Sequence, residues 1–300
     1  CSNTAQEDMS ITTEETLVSS TEGIIYELYE DNKYARVIGY EGTEENIIIA
    51  DEYQGVPVNR IHNAAFRDSS IISVTIPDTV TRIAGSAFSN CNYLKEIVLP
   101  PNIMDIGDYA FSGCSALSSV NLENVSWLSI GRAAFEDCTS LTNIEIPSGV
   151  WEIGENCFSG CTSLKSVVLP NGISQIGKYT FYECSSLEEI VIPEGVETIG
   201  SAAFERCQSL VNVEIPNTVT NIEDSAFYFC YYLTEVTIPS SVSYIGYSAF
   251  GNCNRLENLV FENPIGWNAW WGDGLVVQLP SADGLSNSNT AATYLRDYSN

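Results

Sequence analysis

Hydrophobic and polar positions recur along this chain with a period of about 23 residues. One phenylalanine marks each unit, and successive phenylalanines are 23 residues apart, except for one step of 22 and one of 24. A fixed period of about 20–50 residues is typical of a solenoid, in which each coil buries its apolar face against its neighbours. The pattern predicts nine coils, marked by Phe66, Phe88, Phe111, Phe135, Phe158, Phe181, Phe204, Phe227 and Phe250.

Each unit also contains a short alternation of apolar and polar residues, as in Val213-Glu214-Ile215. Alternation with period two predicts a β-strand with one buried face. The proline that follows, Pro216 in this unit, ends the strand because it has no N–H to donate to a sheet. We therefore predict one parallel β-sheet along the rod and little regular helix, with an Ile-Gly-x-x-Ala-Phe stretch on the other side.

The residues before the first coil predict a cap. Ile24–Tyr29 and Tyr34–Tyr40 alternate apolar and polar positions on either side of a turn, which predicts a β-hairpin, and Asn46–Ile49 predicts a third strand. Because a solenoid needs its terminal core covered, we assign residues 22–57 to an N-terminal β cap and residues 58–262 to the solenoid.

The two ends of the chain depart from the repeat. Residues 1–21 are rich in Ser, Thr and Glu and lack an apolar period, which predicts a flexible tether. Residues 263–300 are expected to form a C-terminal cap, with a strand at Val276–Leu279 and a short helix ending at Leu295. Three tryptophans of this segment form either a lid on the last coil or a ligand platform: Trp267, Trp270 and Trp271.

The repeat motif resembles that of a known family. Ile199-Gly200-Ser201-Ala202-Ala203-Phe204, followed by Cys207 and Leu210, is similar to the unit of the BspA-like leucine-rich repeat family, of the TpLRR type. The resemblance covers the nine units and implies a right-handed, curved solenoid on a bacterial cell surface that attaches to host or neighbouring-cell molecules. The chain departs from the pattern near Glu123–Trp127, where one residue is inserted.

Charge restricts the class of partner. The chain has 12 basic and 39 acidic residues, so its net charge is −27. Nucleic acid and anionic lipid surfaces would be repelled. No apolar run approaches the roughly 20 residues that cross a bilayer. We therefore expect membrane contact only through a lipid on Cys1, because Cys1-Ser2-Asn3 resembles the start of a processed bacterial lipoprotein. The alternative is that a chain boundary falls on this cysteine by chance.

Eight cysteines occupy one repeat position: Cys91, Cys114, Cys138, Cys161, Cys184, Cys207, Cys230 and Cys253. Stacked side chains that point the same way have poor geometry for disulfides, and the spacing is not that of a zinc site. We predict a reduced, inert column in which Cys acts as a small buried hydrophobe, with Cys157 as the one candidate exception. The single histidine, His62, lies at a turn position, and no motif for a metal, cofactor or catalytic triad is found.

Two sets of residues are candidates for partner binding. Exposed strand positions form two adjacent rows, and the selected members are Asn121, Glu145, Val168, Val191, Glu214 and Thr237 in one row and Glu189 and Glu235 in the other. The second set is an aromatic group on the turn side, comprising Tyr228, Tyr231 and Tyr232. Exposed tyrosines are frequent in recognition sites. Packing between coils is the alternative reading of these rings.

The sequence is therefore interpreted as a non-enzymatic, extracellular recognition or adhesion protein, anchored at the cell surface and binding host or neighbouring-cell proteins through the solenoid face. The alternative is glycan capture by exposed Tyr and Trp rings. A hydrolase that uses a carboxylate such as Glu214 is the weakest hypothesis, because Glu145 and Glu214 are about 14 Å apart at the spacing of stacked strands.

Overall fold

The structure is a computed structural model that describes residues 20–122 and 125–262, together with the backbone of two later strands. It confirms the predicted solenoid of stacked parallel strands, and no α-helix occurs in these ranges. Several predicted features lie outside the described residues: the tether with Cys1, Glu123, Trp267, Trp271 and the helix near Leu295.

The N-terminal strands are found where the sequence predicts them. Strands β1 (Ile24–Tyr29) and β2 (Tyr34–Tyr40) form an antiparallel hairpin, and β3 covers Asn46–Ile48. Strand β4 (Glu52–Tyr53) then pairs with β5 (Val56–Ile61) in antiparallel orientation. Strand β5 leads the chain into the first coil.

The N-terminal segment also contributes a coil of its own. Strand β2 pairs in parallel with β5, and β3 pairs in parallel with the first strand of the repeat. The Tyr40 ring packs on Phe66 at 5.8 Å between centroids, so a tyrosine stands where the other coils have phenylalanine. The solenoid therefore has about ten turns. The count of nine from phenylalanine is one short because this turn lacks the marker residue.

Strands from the Val-x-Ile alternation form what we call the first ladder. In each strand the second residue faces inward, and the first and third residues face outward. The strands are β6 (Ser73–Thr75), β8 (Glu96–Val98), β10 (Ser119–Asn121), β12 (Asn143–Glu145), β14 (Ser166–Val168), β16 (Glu189–Val191), β18 (Asn212–Glu214), β20 (Glu235–Ile238) and β22 (Asn258–Phe261). The six strands β12, β14, β16, β18, β20 and β22 form a continuous sheet, whereas β8 and β10 pair separately.

A second ladder of parallel strands corrects the prediction of one sheet. It consists of β7 (Arg82–Ile83), β9 (Asp105–Ile106), β11 (Leu128–Ile130), β13 (Val150–Ile153), β15 (Gln175–Ile176), β17 (Thr198–Ile199), β19 (Asn221–Ile222) and β21 (Tyr244–Ile245). Most of these strands have only two residues, which is too short for an alternation to be recognised in sequence. They exist because equivalent backbone groups of adjacent coils pair once the coils are stacked.

The chain after the last described coil includes one more hairpin. Strand β23 (Asn268–Trp270) pairs with β24 (Val276–Gln278) in antiparallel orientation. The strand predicted near Val276 is therefore present.

Phenylalanine stacking runs along the core of the rod. The nine marker rings are fully buried and nearly parallel, with neighbouring centroids 5.1–5.7 Å apart. Around each ring the backbone turns tightly through two left-handed residues, such as Tyr179 (φ 57°) and Glu183 (φ 59°) around Phe181. The N–H groups of these three residues donate to carbonyls of the next coil at 2.8–3.0 Å. The turns are thus hydrogen-bonded from coil to coil, like the strands.

Candidate binding surfaces

The first ladder brings most of the predicted strand residues onto one outward face. Glu145 is in register with Val168, and Val191 is in register with Glu214. Because Val167 pairs with Ile190, the next residues along these two strands, Val168 and Val191, are neighbours across the sheet. Their exposed fractions are 56% and 68%, so two valines lie side by side in water between two glutamates.

The other predicted strand residues lie on the same six-stranded sheet, with one exception. Glu189, Glu235 and Thr237 are exposed on β16 and β20. Asn121 is exposed as well, but it belongs to β10, which pairs with β8 instead of joining the larger sheet. The change of sheet falls at the inserted residue that the sequence places near Glu123–Trp127.

A shallow depression adjoins the valine pair. It has a volume of about 590 Å³, and Val191 and Glu214 line it together with Asn171, Pro193 and Asn217. The prolines that end the strands therefore help to form a recess at the edge of the exposed face.

The tyrosine group is less exposed than the sequence suggests. Tyr228 and Tyr231 are half-buried. Both rings pack on Phe229, with centroid distances of 4.2 Å for Tyr228 and 5.4 Å for Tyr231. Tyr232 is exposed, with the guanidinium carbon of Arg255 4.2 Å from the centre of its ring. All three tyrosines lie on turns, and the Tyr228 and Tyr231 rings pack within their own coil.

An aromatic pair that the sequence reasoning missed lies on the second ladder. The indole rings of Trp127 and Trp151 stack at 5.8 Å between centroids, with 27° between their planes, and both are exposed. The sequence hides this pair, because the two residues are 24 positions apart while the step from Phe135 to Phe158 is 23, so the two tryptophans occupy different repeat positions.

A polar groove follows the second ladder across several coils. It has a volume of about 490 Å³, and the glycines at one repeat position, including Gly107, Gly131 and Gly154, contribute to its lining. Its lining also includes Asp105, which forms an ion pair of 2.6 Å with Arg82. The groove therefore combines positive and negative groups within a small volume.

Each cysteine of the column makes a specific contact. Its thiol donates to the carbonyl oxygen of the phenylalanine in the preceding coil, as in Cys184 Sγ to Phe158 O at 3.1 Å and Cys253 Sγ to Phe227 O at 3.1 Å. All nine described cysteines, including Cys157, are free and buried. Burial raises the pKa of the Cys253 thiol to about 12. The Cys253 thiol is therefore protonated and poorly reactive at neutral pH.

The described residues hold no group of three or more His, Cys, Asp and Glu side chains arranged to bind a metal ion. They also include no helix that is both long and apolar enough to cross a bilayer. The described residues therefore form a repeat protein with an exposed strand face on the first ladder, and with a polar groove and an exposed tryptophan pair on the second.

Comparison with known proteins identifies the repeat. The profile of the BspA type leucine rich repeat region matches residues 59–188 and 151–269, with six copies. This chain belongs to that family. The expected family assignment is therefore confirmed over well more than half of the sequence. No match was found among curated proteins.

Solved structures of the family share the fold. A leucine rich cell surface protein from Faecalibacterium prausnitzii A2-165 is 30% identical, with a TM-score of 0.62, over 81% of this chain and 76% of its own. A leucine-rich repeat protein from Bacteroides ovatus is also 30% identical with a TM-score of 0.62, over 80% of this chain and 70% of its own. The pneumococcal vaccine antigen PcpA shares the fold alone. It is 20% identical, with a TM-score of 0.53, over 84% of this chain and 85% of its own.

Proposed function

We propose that this protein is a cell-surface recognition protein that binds host or neighbouring-cell proteins through the outward face of the first ladder. Family membership supports a binding role, since solenoids present extended surfaces to partners and repeat proteins of this kind are typically not enzymes. The relative from Faecalibacterium prausnitzii is described as a cell surface protein, which supports the location. We further propose that a lipid on Cys1 anchors the chain.

The exposed valine pair carries this proposal. Val168 and Val191 are adjacent on the six-stranded sheet, and glutamates in register with them lie on both sides. Valine favours strand conformation, but threonine does so too and would keep the surface polar. An apolar centre within a polar rim is the usual anatomy of a protein interface. The acidic rim favours a partner segment that carries Lys or Arg beside an aliphatic or aromatic anchor.

A double substitution tests the proposal. Val168→Thr with Val191→Thr keeps the β-branched shape and removes the apolar surface. We expect it to weaken binding to the protein partner by roughly tenfold to a hundredfold, because residues buried at an interface centre contribute most of its affinity. Binding is measured by biolayer interferometry against extracellular-matrix proteins and bacterial surface proteins, and the partner is the protein that binds the unaltered chain.

Val98→Thr is the matched control. Val98 occupies the same repeat position and is 61% exposed, but it lies on β8, outside the six-stranded sheet. The Val98→Thr variant should bind the partner as tightly as the unaltered protein does. If the control loses as much affinity as the double variant, or if the double variant loses none, the six-stranded sheet is not the recognition surface.

A further inference from the structure

The stacked tryptophans form an exposed apolar shelf that recognition through the first ladder does not use. Trp127 is 63% exposed and Trp151 is 45% exposed, although an indole is the largest apolar side chain a protein can bury. Their rings come from consecutive coils and stack with their planes 27° apart. Met104, in the coil before, adds a third exposed apolar side chain on the second ladder.

An irregularity in the second ladder directs Trp151 outward. Leu128 pairs with Val150 and Ser129 pairs with Glu152, so Trp151 is the extra residue of a β-bulge between these two pairs. Both Trp151 and Glu152 are exposed, whereas the residues on either side of them are buried. Bulges commonly re-aim a side chain at a functional site. Here the bulge places an indole next to a carboxylate on the outside of the rod.

The shelf borders the polar groove. Glu152 follows Trp151 in the chain and Asp105 follows Met104, and both carboxylates line the groove. The groove volume of about 490 Å³ lies within the range of roughly 300–1,000 Å³ that is usual for small-ligand sites. Because the groove crosses consecutive coils beside the ladder, its shape suits an extended ligand of several similar units.

The chemistry of the lining selects the class of ligand. Acceptors and donors are already paired inside the groove: Asp105 with Arg82 at 2.6 Å, Glu152 with the Ser129 hydroxyl at 3.1 Å, and Asp108 with the Arg132 backbone N–H at 2.9 Å. A cationic peptide would meet two arginines, and an anionic chain would meet four carboxylates. A hydroxyl group both donates and accepts, so a neutral polyhydroxylated ligand can bond to each member of these pairs.

We propose that Trp127, Trp151 and the groove beside them form a binding site for a neutral, linear glycan. The C–H face of a sugar ring would pack on the exposed side of the indole pair, while hydroxyls of the glycan bond to Glu152, Ser129 and Asp105. This site is separate from the valine face, so the protein can hold a glycan on the second ladder and a protein on the first.

Isothermal titration calorimetry on the full chain tests the site. The probes are hexasaccharides of β-1,4-linked glucose, β-1,4-linked mannose, β-1,4-linked xylose and α-1,4-linked glucose, together with an arginine-rich decapeptide. We expect at least one hexasaccharide to bind, and Trp127→Ala or Trp151→Ala to weaken it by roughly tenfold or more, in line with the loss of one stacked ring. Glycan binding should also shift the intrinsic tryptophan fluorescence to shorter wavelength in the unaltered protein.

Two controls separate this site from general effects. Tyr93→Ala removes an aromatic ring of similar exposure, 62%, from a turn outside the groove, and it should not change glycan affinity. The double valine variant on the first ladder should also bind glycan normally, so failure of the protein-recognition proposal is distinguishable from failure of this one. Circular dichroism confirms that each variant is folded.

Charge dependence separates the two ligand classes. Glu152→Gln keeps a hydrogen-bond acceptor, so it should reduce glycan affinity only a few-fold, and added salt should have little effect. Three outcomes overturn the proposal: no hexasaccharide binds, the tryptophan variants bind as the unaltered protein does, or only the decapeptide binds and is released by salt.

Discussion

At the residue scale, the cysteine column shows how a small side chain can meet two requirements. Each position is fully buried beside the phenylalanine stack, and each thiol also donates to a carbonyl of the preceding coil, as Cys253 does to Phe227. Alanine would leave that carbonyl without this contact, and valine would need more space. The same residue is therefore suited to each of the eight coils from Phe88 to Phe250. Since burial opposes thiolate formation, the column ties stability to pH.

Alkaline unfolding tests the protonated column. The pKa of Cys253 rises from 9.0 to about 12 on burial. A raised folded pKa means that the stability from this thiol is complete below about pH 9 and is lost as pH rises toward 12. We expect each such thiol to contribute a loss of about 1.4 kcal/mol per pH unit in this window. Cys253→Ala should therefore show a shallower fall of unfolding free energy, measured with urea in a reducing buffer.

The comparison of slopes removes the contribution of tyrosines and lysines, which titrate in both proteins. Cys253→Ala also loses packing, so its stability at neutral pH is lower, and only the slope is informative. Equal slopes for the two proteins would contradict a buried, protonated thiol at this position.

At the scale of one coil, glycine controls how closely adjacent coils approach. A Cβ at Gly154 would lie 2.5 Å from the Arg132 nitrogen and 2.5 Å from the carbonyl carbon of Gly131. Both are backbone atoms of the preceding coil, so they cannot rotate away. The same repeat position at Gly177 has more room, with Thr180 Oγ1 at 3.2 Å and the nearest backbone atoms of Glu155 at 3.6 Å. Equivalent glycines therefore have different structural requirements.

Alanine substitutions at these two positions give a matched pair. Gly154→Ala should lower the unfolding free energy by about 1–3 kcal/mol, because the methyl group forces two coils apart. Gly177→Ala should change it by less than about 1 kcal/mol, since its neighbour needs to move only a few tenths of an ångström. Urea unfolding measures both. Similar losses at the two positions would show that glycine is required at Gly154 for its local backbone conformation, and not for the close approach of two coils.

At the scale of the whole molecule, the two ladders give the rod two outward faces, and each face has one of the proposed binding sites. The valine face lies on the first ladder, and the tryptophan shelf lies on the second. A solenoid can separate sites in this way because each coil contacts only its neighbours. A net charge of −27 favours solubility of such a long surface, and we expect it to oppose contact with anionic membranes. Attachment to a membrane would then depend on the lipid proposed for Cys1, at the start of the predicted tether of residues 1–21.

Lipid attachment is tested on the whole protein in a bacterial host. The chain is expressed behind a lipoprotein signal peptide, and cells are labelled with an alkyne analogue of palmitate. We expect label in the unaltered protein and none in Cys1→Ser, because a thioether at Cys1 is the proposed point of attachment. Cys253→Ala serves as the control cysteine and should be labelled normally. Label that persists in Cys1→Ser would contradict the anchor.

The sequence by itself determined the features that depend on periodicity and local pattern. The 23-residue period, the buried phenylalanine and cysteine columns, the strands of the first ladder and the hairpin from Ile24 to Tyr40 could all be read from it. Repetition makes this possible, because one unit defines the inward and outward positions of every other unit. The candidate residues Val168, Val191 and Glu214 could be found in the same way.

Only the tertiary structure decided what lies beside a residue in the adjacent coil. The two-residue strands of the second ladder and the coil added by β2 and β3 depend on the stacking of coils. The partial burial of Tyr228 and Tyr231 depends on how the turn around Phe229 folds. The pairing of Trp127 with Trp151 depends on it too, because an inserted residue and a bulge bring the two rings together. Periodicity shows which residues lie on the inner and outer sides of a coil. Contacts between residues at irregular positions depend on how adjacent coils are aligned in the folded protein.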